Sequence, residues 1–307
     1  MKILLLGAGA VGGYFGGRLY QAGLDVTFLT RQKRADILAK NGLIIKSEMG
    51  NLNTSVKTIL KDDIKETYNF IILACKAYHL DQAIEDIKLA VGKDTYIIPL
   101  INGLDHFDVL DTKLGKDKII RALCFVNSKL SPEGEIIHSS KLQKIVFGSV
   151  NQDVISGCGK FESLMSKSNL DYIYSKDIMQ DLWEKFVFIT SAAGLTCLMR
   201  ADIATILNSP YGEEIALNIF NECIQTAEAA GYKLRDEFYD RFRSIITNKN
   251  LPMKTSLLID IENRNTTESD HIIGSMINHA NRLNVDCPVL KTVYCHIKSY
   301  EKLLFND

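Results

Sequence analysis

The segment Lys2-Ile3-Leu4-Leu5-Leu6-Gly7-Ala8-Gly9-Ala10-Val11-Gly12 decides the fold. A short apolar run of strand length ends in G-x-G-x-x-G, and a helix-like stretch follows. In such a motif the first glycine permits a tight turn. The second lets backbone approach a pyrophosphate, and the third lets the helix pack close to the strand. Helix N–H groups and the helix dipole then face the phosphates. A glycine-rich turn with no ligand is the competing reading, but the flanking strand and helix and the N-terminal position weigh against it.

Outward from that motif, the first half alternates strand-like and helix-like segments. Asp25–Leu29 is β-rich, and residues 69–74 and 95–100 are apolar runs of strand length separated by polar helical stretches. Alternation of this kind predicts a parallel sheet with helices on both faces. Residues 118–125, 144–150 and 170–174 read as further strands. After about Lys176 the pattern becomes helical: Ile178–Met199, then residues 211–230 closed by Gly231 as a C-cap, then 257–263, 270–283 and 288–304. Pro288 suits a first helical turn. The expected division is therefore 1–175 and 176–307.

The chain has 307 residues, 46% of them hydrophobic, which suits two domains with a large core. Its 36 basic and 37 acidic residues give a formal net charge of -1. That balance gives no support for nucleic-acid or anionic-membrane partners. The mixed-sign cluster at 61–66 reads as solvated surface. Seven scattered cysteines without a C-x-x-C pair argue against a disulfide framework or a zinc site, so no metal is expected and a reducing compartment fits best. Six glycines between Gly7 and Gly17 spoil a signal-peptide core. The apolar run 186–199 is shorter than the ~20 residues a membrane span needs. The expectation is a soluble, cytoplasmic protein.

The second strand ends Phe28-Leu29-Thr30-Arg31, with Lys33 and Arg34 nearby. An NAD enzyme usually carries Asp or Glu there to bind ribose hydroxyls. A cationic fork suits a 2′-phosphate instead, so NADP (NADPH) is favoured over NAD. Beyond the carboxyl ends of later strands stand Lys76 and Asn102-Gly103, where ligands bind in open α/β sheets. An exposed lysine and a hairpin turn are the plain alternatives. Lys185, in Leu182-Trp183-Glu184-Lys185-Phe186, sits beside the most apolar stretch of the chain. It is either used there or snorkels to the surface. Glu268 has a plain reading as a helix first-turn acid, with Thr267 and Asp270 forming a capping-box pattern.

Together these pieces resemble the ketopantoate reductase (2-dehydropantoate 2-reductase) family over nearly the whole chain. The resemblance rests on Gly7-x-Gly9-x-x-Gly12, Arg31, Cys75-Lys76-Ala77, Asn102-Gly103, Leu182-Trp183-x-Lys185, and Ser256 followed twelve residues later by Glu268. It implies an α/β Rossmann-type dinucleotide-binding domain followed by an all-α substrate domain, with the active site in the cleft. It implies NADP contacts from residues 7–12 (Gly7, Ala8, Gly9, Ala10, Val11, Gly12), Arg31, Lys76, Asn102 and Glu268. Lys185 would be the general acid, Glu268 would hydrogen-bond near the reacting centre, and Asn102 and Ser256 would bind substrate. A small 2-oxo acid is the implied substrate, and a homodimer is allowed.

Negative charge grows on a ketone oxygen as hydride arrives, and a lysinium at hydrogen-bond distance stabilises it and donates a proton. The family's substrate-binding asparagines commonly lie four and eight residues after the lysine, where this chain has Ile189 and Ala193. A site lacking a partner for a substrate hydroxyl discriminates poorly for it. Another branched or aromatic 2-oxo acid is therefore the alternative substrate, in the manner of D-2-hydroxyacid dehydrogenases. A non-catalytic NADP-binding sensor is a third reading. A β-hydroxyacid dehydrogenase fits less well, since those enzymes usually carry a glycine-rich helix ahead of their lysine.

Overall fold

The computed structural model describes residues 1–305. It divides into two compact units: residues 1–101 with 106–179, and residues 102–105 with 180–307. The short excursion at 102–105 is a feature that a single boundary does not anticipate.

In the first unit the elements run β1 (Lys2–Leu6), α1 (Ala10–Gln21), β2 (Asp25–Leu29), α2 (Gln32–Asn41), β3 (Leu43–Ser47), β4 (Leu52–Thr54), β5 (Lys57–Ile59), β6 (Phe70–Leu73), α3 (Leu80–Ile87), β7 (Tyr96–Pro99), α4 (His106–Leu114), β8 (Arg121–Leu130), β9 (Ile136–Gly148), α5 (Ile155–Met165) and β10 (Asp171–Tyr174). One sheet, ordered β5-β2-β1-β6-β7, is parallel throughout. Its central strands β1 and β6 are apolar beyond the exposed Lys2, as strands covered on both faces must be. All four residues of β6 are buried.

The remaining strands do not extend that sheet. They form a second, mixed one, ordered β10-β9-β3-β4, with β8 antiparallel to β9. Residues 43–59, expected among polar helical stretches, supply three of the unit's strands. β4 and β5 have three residues each, too few for a period-2 pattern to show. β8 and β9 are longer than the apolar runs suggested, because only part of each is buried. The buried Arg121–Cys124 stretch of β8 continues into Asn127, Ser128 and Lys129, which are polar and at least partly exposed.

Helix α1 is packed against both sheets, and its composition explains how. A Cβ at Gly16 would fall 2.6 Å from Leu5 Cδ1, in the parallel sheet. One at Gly17 would fall 2.7 Å from Ile45 Cδ1, in the mixed sheet. Bare backbone on two faces therefore brings both sheets close, while Phe15 and Leu19 fill the core between. Each such buried side chain contributes about 1.5–3 kcal/mol. The buried Tyr14 hydroxyl donates to Gln143 Oε1 at 2.7 Å, which satisfies the one polar atom that its ring carries inside.

The second unit is helical among its described residues: α6 (Ile178–Met199), α7 (Ile203–Leu207), α8 (Gly212–Ala229), α9 (Asp236–Ile246), α10 (Ser256–Glu262), a π-helical turn (Asp270–Gly274), α11 (Ser275–Arg282) and α12 (Pro288–Phe305). The helix expected over 270–283 thus opens with a wider turn. α7 and α9 were not expected. The first is a five-residue helix, and the second is largely charged, with only Phe242 and Ile246 buried. Gly231 ends α8 at φ +90°, as a C-cap glycine does.

α6 has the length and hydropathy of a membrane span, contrary to the shorter run read from sequence. Yet 78% of its most apolar stretch is buried within the protein, so it is the core helix of this unit. The buried Glu222 of α8 accepts from the backbone N–H groups of Val289 and Leu290 at 2.9 and 2.8 Å. A carboxylate on the free amides of a helix N-terminus is stabilising, and here it fixes α12 to α8.

Candidate active site

At the end of β1 the chain turns through Gly7 at φ +97°, a conformation L side chains rarely adopt. A Cβ there would also lie 2.7 Å from the Ala74 carbonyl oxygen. At Gly12 a Cβ would lie 2.0 Å from the Gly7 carbonyl oxygen, so the first turn of α1 closes on its own strand only with glycine. A Cβ at Gly9 meets nothing within 4 Å. Two of the three glycines are thus demanded by the protein's own packing. The middle one faces open space, where a ligand would come against bare backbone.

That space is a cavity of about 550 Å³ beyond the carboxyl ends of β1, β2 and β6. Gly7, Ala8 and Gly9 form part of its wall, with Thr30 and Arg31 after β2, and Cys75 and Lys76 after β6. Ala10, Val11 and Gly12 belong to α1 and are not part of the lining. Two polar atoms of lining residues, Thr30 Oγ1 and Arg34 Nη2, are buried with no hydrogen-bond partner in the protein. Buried polar groups without partners are rare and costly, and these two would be satisfied by a polar ligand. The residues present therefore fit a dinucleotide.

The basic group after β2 does not act as one fork. Arg34 turns inward: its Nε donates to the Ala8 carbonyl at 2.8 Å and its Nη1 to the Gly134 carbonyl at 2.8 Å. Burial lowers its pKa from the ordinary guanidinium value. It braces the glycine turn against the β8–β9 connection. Lys33 is exposed and is not part of the lining. Arg31 is exposed at the start of α2, lines the cavity, and makes no ion pair among the described residues. From the cluster expected to be plain solvated surface, Lys61 and Asp62 line the same cavity.

The second unit gathers a different set of groups around Lys185. Its side chain is buried, with 8% of the residue exposed, so the snorkelling alternative does not hold. Its Nζ donates to Asn102 Oδ1 at 3.1 Å. Asn102 is brought there by the 102–105 excursion, which three contacts clasp to the helical unit. Besides the Lys185 bond, Asp105 Oδ1 lies 3.0 Å from His279 Nε2. Gly103, at φ +94°, lies so close to the π turn that a Cβ would be 2.6 Å from the His271 carbonyl oxygen. Burial opposes ionisation of Asp105, but the His279 hydrogen bond and nearby charge outweigh it and hold its pKa below the ordinary value.

The residue before the lysine is anchored as firmly. Glu184, fully buried, accepts from Gln180 Nε2 at 3.0 Å and from the Arg235 backbone N–H and Nε at 2.9 Å each. The Arg235 guanidinium also reaches Asp181. Trp183 stacks on Tyr232 and meets His279 edge-on. Asp105, His279 and Arg235 carry no motif in the sequence. Each is a lone acid, histidine or arginine far along the chain from its partner.

Glu268 is buried, with 5% of it exposed, immediately before the π turn. The capping-box pattern that offered it a plain role is not formed. Thr267 Oγ1 accepts from the Ser269 N–H, and the Asp270 carboxylate is engaged by Tyr294 and Lys298. Ser256 is the exposed first residue of α10, which Thr255 rather than Ser256 caps. Ile189 and Ala193 follow Lys185 at helical spacing on one face of α6, Ile189 half-buried and Ala193 buried. A buried ammonium held on an amide oxygen, with an apolar strip beside it, can place a proton on a developing oxyanion in poorly solvated surroundings.

Residues 3–152 match the family model for ketopantoate reductase PanE/ApbA, and residues 177–301 match that for its C-terminal part. An uncharacterized oxidoreductase of Bacillus subtilis (strain 168), YkpB, is 38% identical over 98% of this chain and 99% of its own. The 2-dehydropantoate 2-reductase of Streptococcus pyogenes serotype M18 (strain MGAS8232) is 24% identical over 99% of both chains. Among solved structures, a D-mandelate dehydrogenase in ternary complex with NADH and anilino(oxo)acetate superposes with a TM-score of 0.89, at 21% identity over 99% of both chains. That likeness establishes the fold.

Proposed function

The chain belongs to the ketopantoate reductase family of oxidoreductases, and on that premise we propose that it uses NADPH to reduce a small 2-oxo acid to the 2-hydroxy acid. Ketopantoate is the first candidate substrate, since the Streptococcus pyogenes relative carries that activity in its name. The observation that carries the proposal is the buried Lys185 ammonium on Asn102 Oδ1.

The reduced nicotinamide supplies the hydride. Lys185 is the general acid for the ketone oxygen. Its burial strengthens every charge interaction that it makes, and Asn102 fixes its direction. The Glu184–Arg235 network holds the helix turn from which it projects. Glu268 is a second group for the substrate hydroxyl. Ser256, with exposed hydroxyl, is a donor for the substrate carboxylate. On the cofactor side, Gly7, Ala8 and Gly9 receive the pyrophosphate, while Thr30 and Arg31 receive the adenosine end and Lys76 a further phosphate or ribose group.

Ile189 and Ala193 favour a second reading, a different branched or aromatic 2-oxo acid. An apolar strip next to the acid gives a hydroxylated substrate no partner for its hydroxyl, whereas an apolar side chain gains by burial there. The deciding experiment follows NADPH and NADH absorbance against a panel of 2-oxo acids. The proposal expects turnover with NADPH and ketopantoate among the better substrates. Ketopantoate among the slowest would leave the second reading, and no turnover with any 2-oxo acid would end both.

A further inference from the structure

Sequence suggested a cationic fork of Arg31, Lys33 and Arg34, but Arg34 is committed to two backbone carbonyls and Lys33 is off the cavity wall. Of the three, Arg31 is the exposed cation on the lining, and Arg34 offers only its buried Nη2. The parallel sheet supplies a second from elsewhere. β5 lies beside β2 in the same direction, with Leu29 opposite Ile59, and the Thr30 N–H donates to the Ile59 carbonyl at 3.1 Å. The residues that leave β5, Leu60-Lys61-Asp62, therefore emerge alongside the residues that leave β2, Thr30-Arg31-Gln32. Both triplets line the one cavity. Lys61 is exposed, and its ammonium makes no hydrogen bond or ion pair among the described residues.

We propose that Lys61 and Arg31, carried by adjacent strand ends, form the clamp that selects the 2′-phosphate of NADP over the bare ribose of NAD. The inference rests on the NADPH reading above. Two exposed cations stand on the wall of one cavity, at neighbouring strand ends. A dianionic phosphate between them gains a charge-assisted bond from each. The planar guanidinium supplies paired bonds, and the lysine supplies a point charge on a flexible stem. Thr30, whose hydroxyl is buried without a partner, adds a neutral donor. His79, also on the lining, has its pKa lowered by burial and by the Arg31 charge, so it adds no standing positive charge at neutral pH. The acids on the lining, Asp62 and Asp86, oppose a phosphate. Arg34 and Lys76 also bring positive charge to the wall, and Lys61 adds a cation beside Arg31 at the paired strand ends, which tips the local balance toward an anion there.

The test measures NADPH and NADH dissociation constants by fluorescence titration for the intact protein and for Lys61→Ala, Lys61→Arg and Lys33→Ala. Lys61→Ala is expected to weaken NADPH by about tenfold, the worth of one charge-assisted bond. NADH binding should hardly change, Lys61→Arg should restore most of the loss, and Lys33→Ala should behave as the unaltered protein. The NADPH loss should shrink in high salt, as a partly exposed charge contact must. Equal losses for both cofactors, or no loss for NADPH, would overturn the clamp. If the unaltered protein itself binds NADH more tightly than NADPH, the cofactor reading fails, which is a separate result from a silent Lys61→Ala.

Discussion

The nucleotide cavity and the Lys185 cluster are built by opposite means. The cavity is defined by backbone: the turn through Gly7, Ala8 and Gly9, which Gly12 lets close on its strand, the strand ends, and an arginine held on the carbonyls of Ala8 and Gly134. The Lys185 cluster is defined by side chains from segments far apart in sequence, with Asn102 reaching Lys185 across 83 positions. The contrast teaches where each site is vulnerable. The first should fail when an atom is added, and the second when one is removed.

The sharpest break of that contrast lies within the glycine motif. Gly12→Ala places a Cβ 2.0 Å from a backbone oxygen, which cannot move aside as a side-chain tip can. We expect a cost of about 3 kcal/mol or more, read as a lowered Tm or as insoluble protein. Gly9→Ala adds the same atom to open space. Its Tm should match the unaltered protein while affinity for both nicotinamide cofactors falls about tenfold or more. If Gly9→Ala binds cofactor normally, the middle glycine does not face the ligand.

Next in size is the anchor of the second site. Arg235→Ala leaves the buried Glu184 carboxylate without its charge partner. Removing one member of a buried pair costs about 3–5 kcal/mol, and the lower end applies because Arg235 is partly in water. Chemical denaturation should show that loss, and kcat should fall with it if the network orients Lys185. An unaltered kcat would limit the network to folding.

These differences explain what could be read from sequence. The cavity was legible because its requirements are local: three glycines at fixed spacing behind an apolar run, and a basic residue where the next strand ends. Without the family resemblance Lys185 is legible only as a charge in an apolar helix, since nothing along the chain says that Asn102 meets it. Arg34 misled because sequence gives a side chain's charge but not its direction. Lys61 was passed over because β5, three residues long, has no readable pattern. Three strands of the mixed sheet are legible in their apolar stretches, but the short, half-polar β3 and β4 are not, and so neither is the separateness of that sheet.

Thiol labelling gives a smaller effect that compares the interior with the cavity. Burial raises Cys158 to about 11 and Cys197 and Cys223 to about 12, so at pH 8 these thiols are both protonated and enclosed. Iodoacetamide should leave them unmodified in the native protein and react first with exposed Cys295. Cys75, on the cavity wall, should label more slowly when NADPH is present. Equal Cys75 labelling with and without cofactor would place the ligand elsewhere.

Acid should give the smallest effect, with the most enclosed of the responding carboxyls in the helical unit. Asp105 and Asp270 have pKa values lowered in the fold: burial opposes this, but hydrogen bonds from His279, and from Tyr294 and Lys298, prevail. A carboxyl with a lowered folded pKa stabilises the protein above its unfolded value and loses that contribution as pH falls through the folded one. Stability should therefore be level above about pH 5 and decline below about pH 4. Asp105→Asn should flatten part of that decline.

The central claim is that the Lys185 ammonium is the proton donor of a reductase. It is tested most directly by Lys185→Ala, with NADPH binding and single-turnover reduction of the best 2-oxo acid measured on one preparation. The account predicts NADPH affinity within about twofold of the unaltered protein and turnover down by about a thousandfold, as loss of a general acid allows. Turnover at the original rate with NADPH bound as before would contradict it.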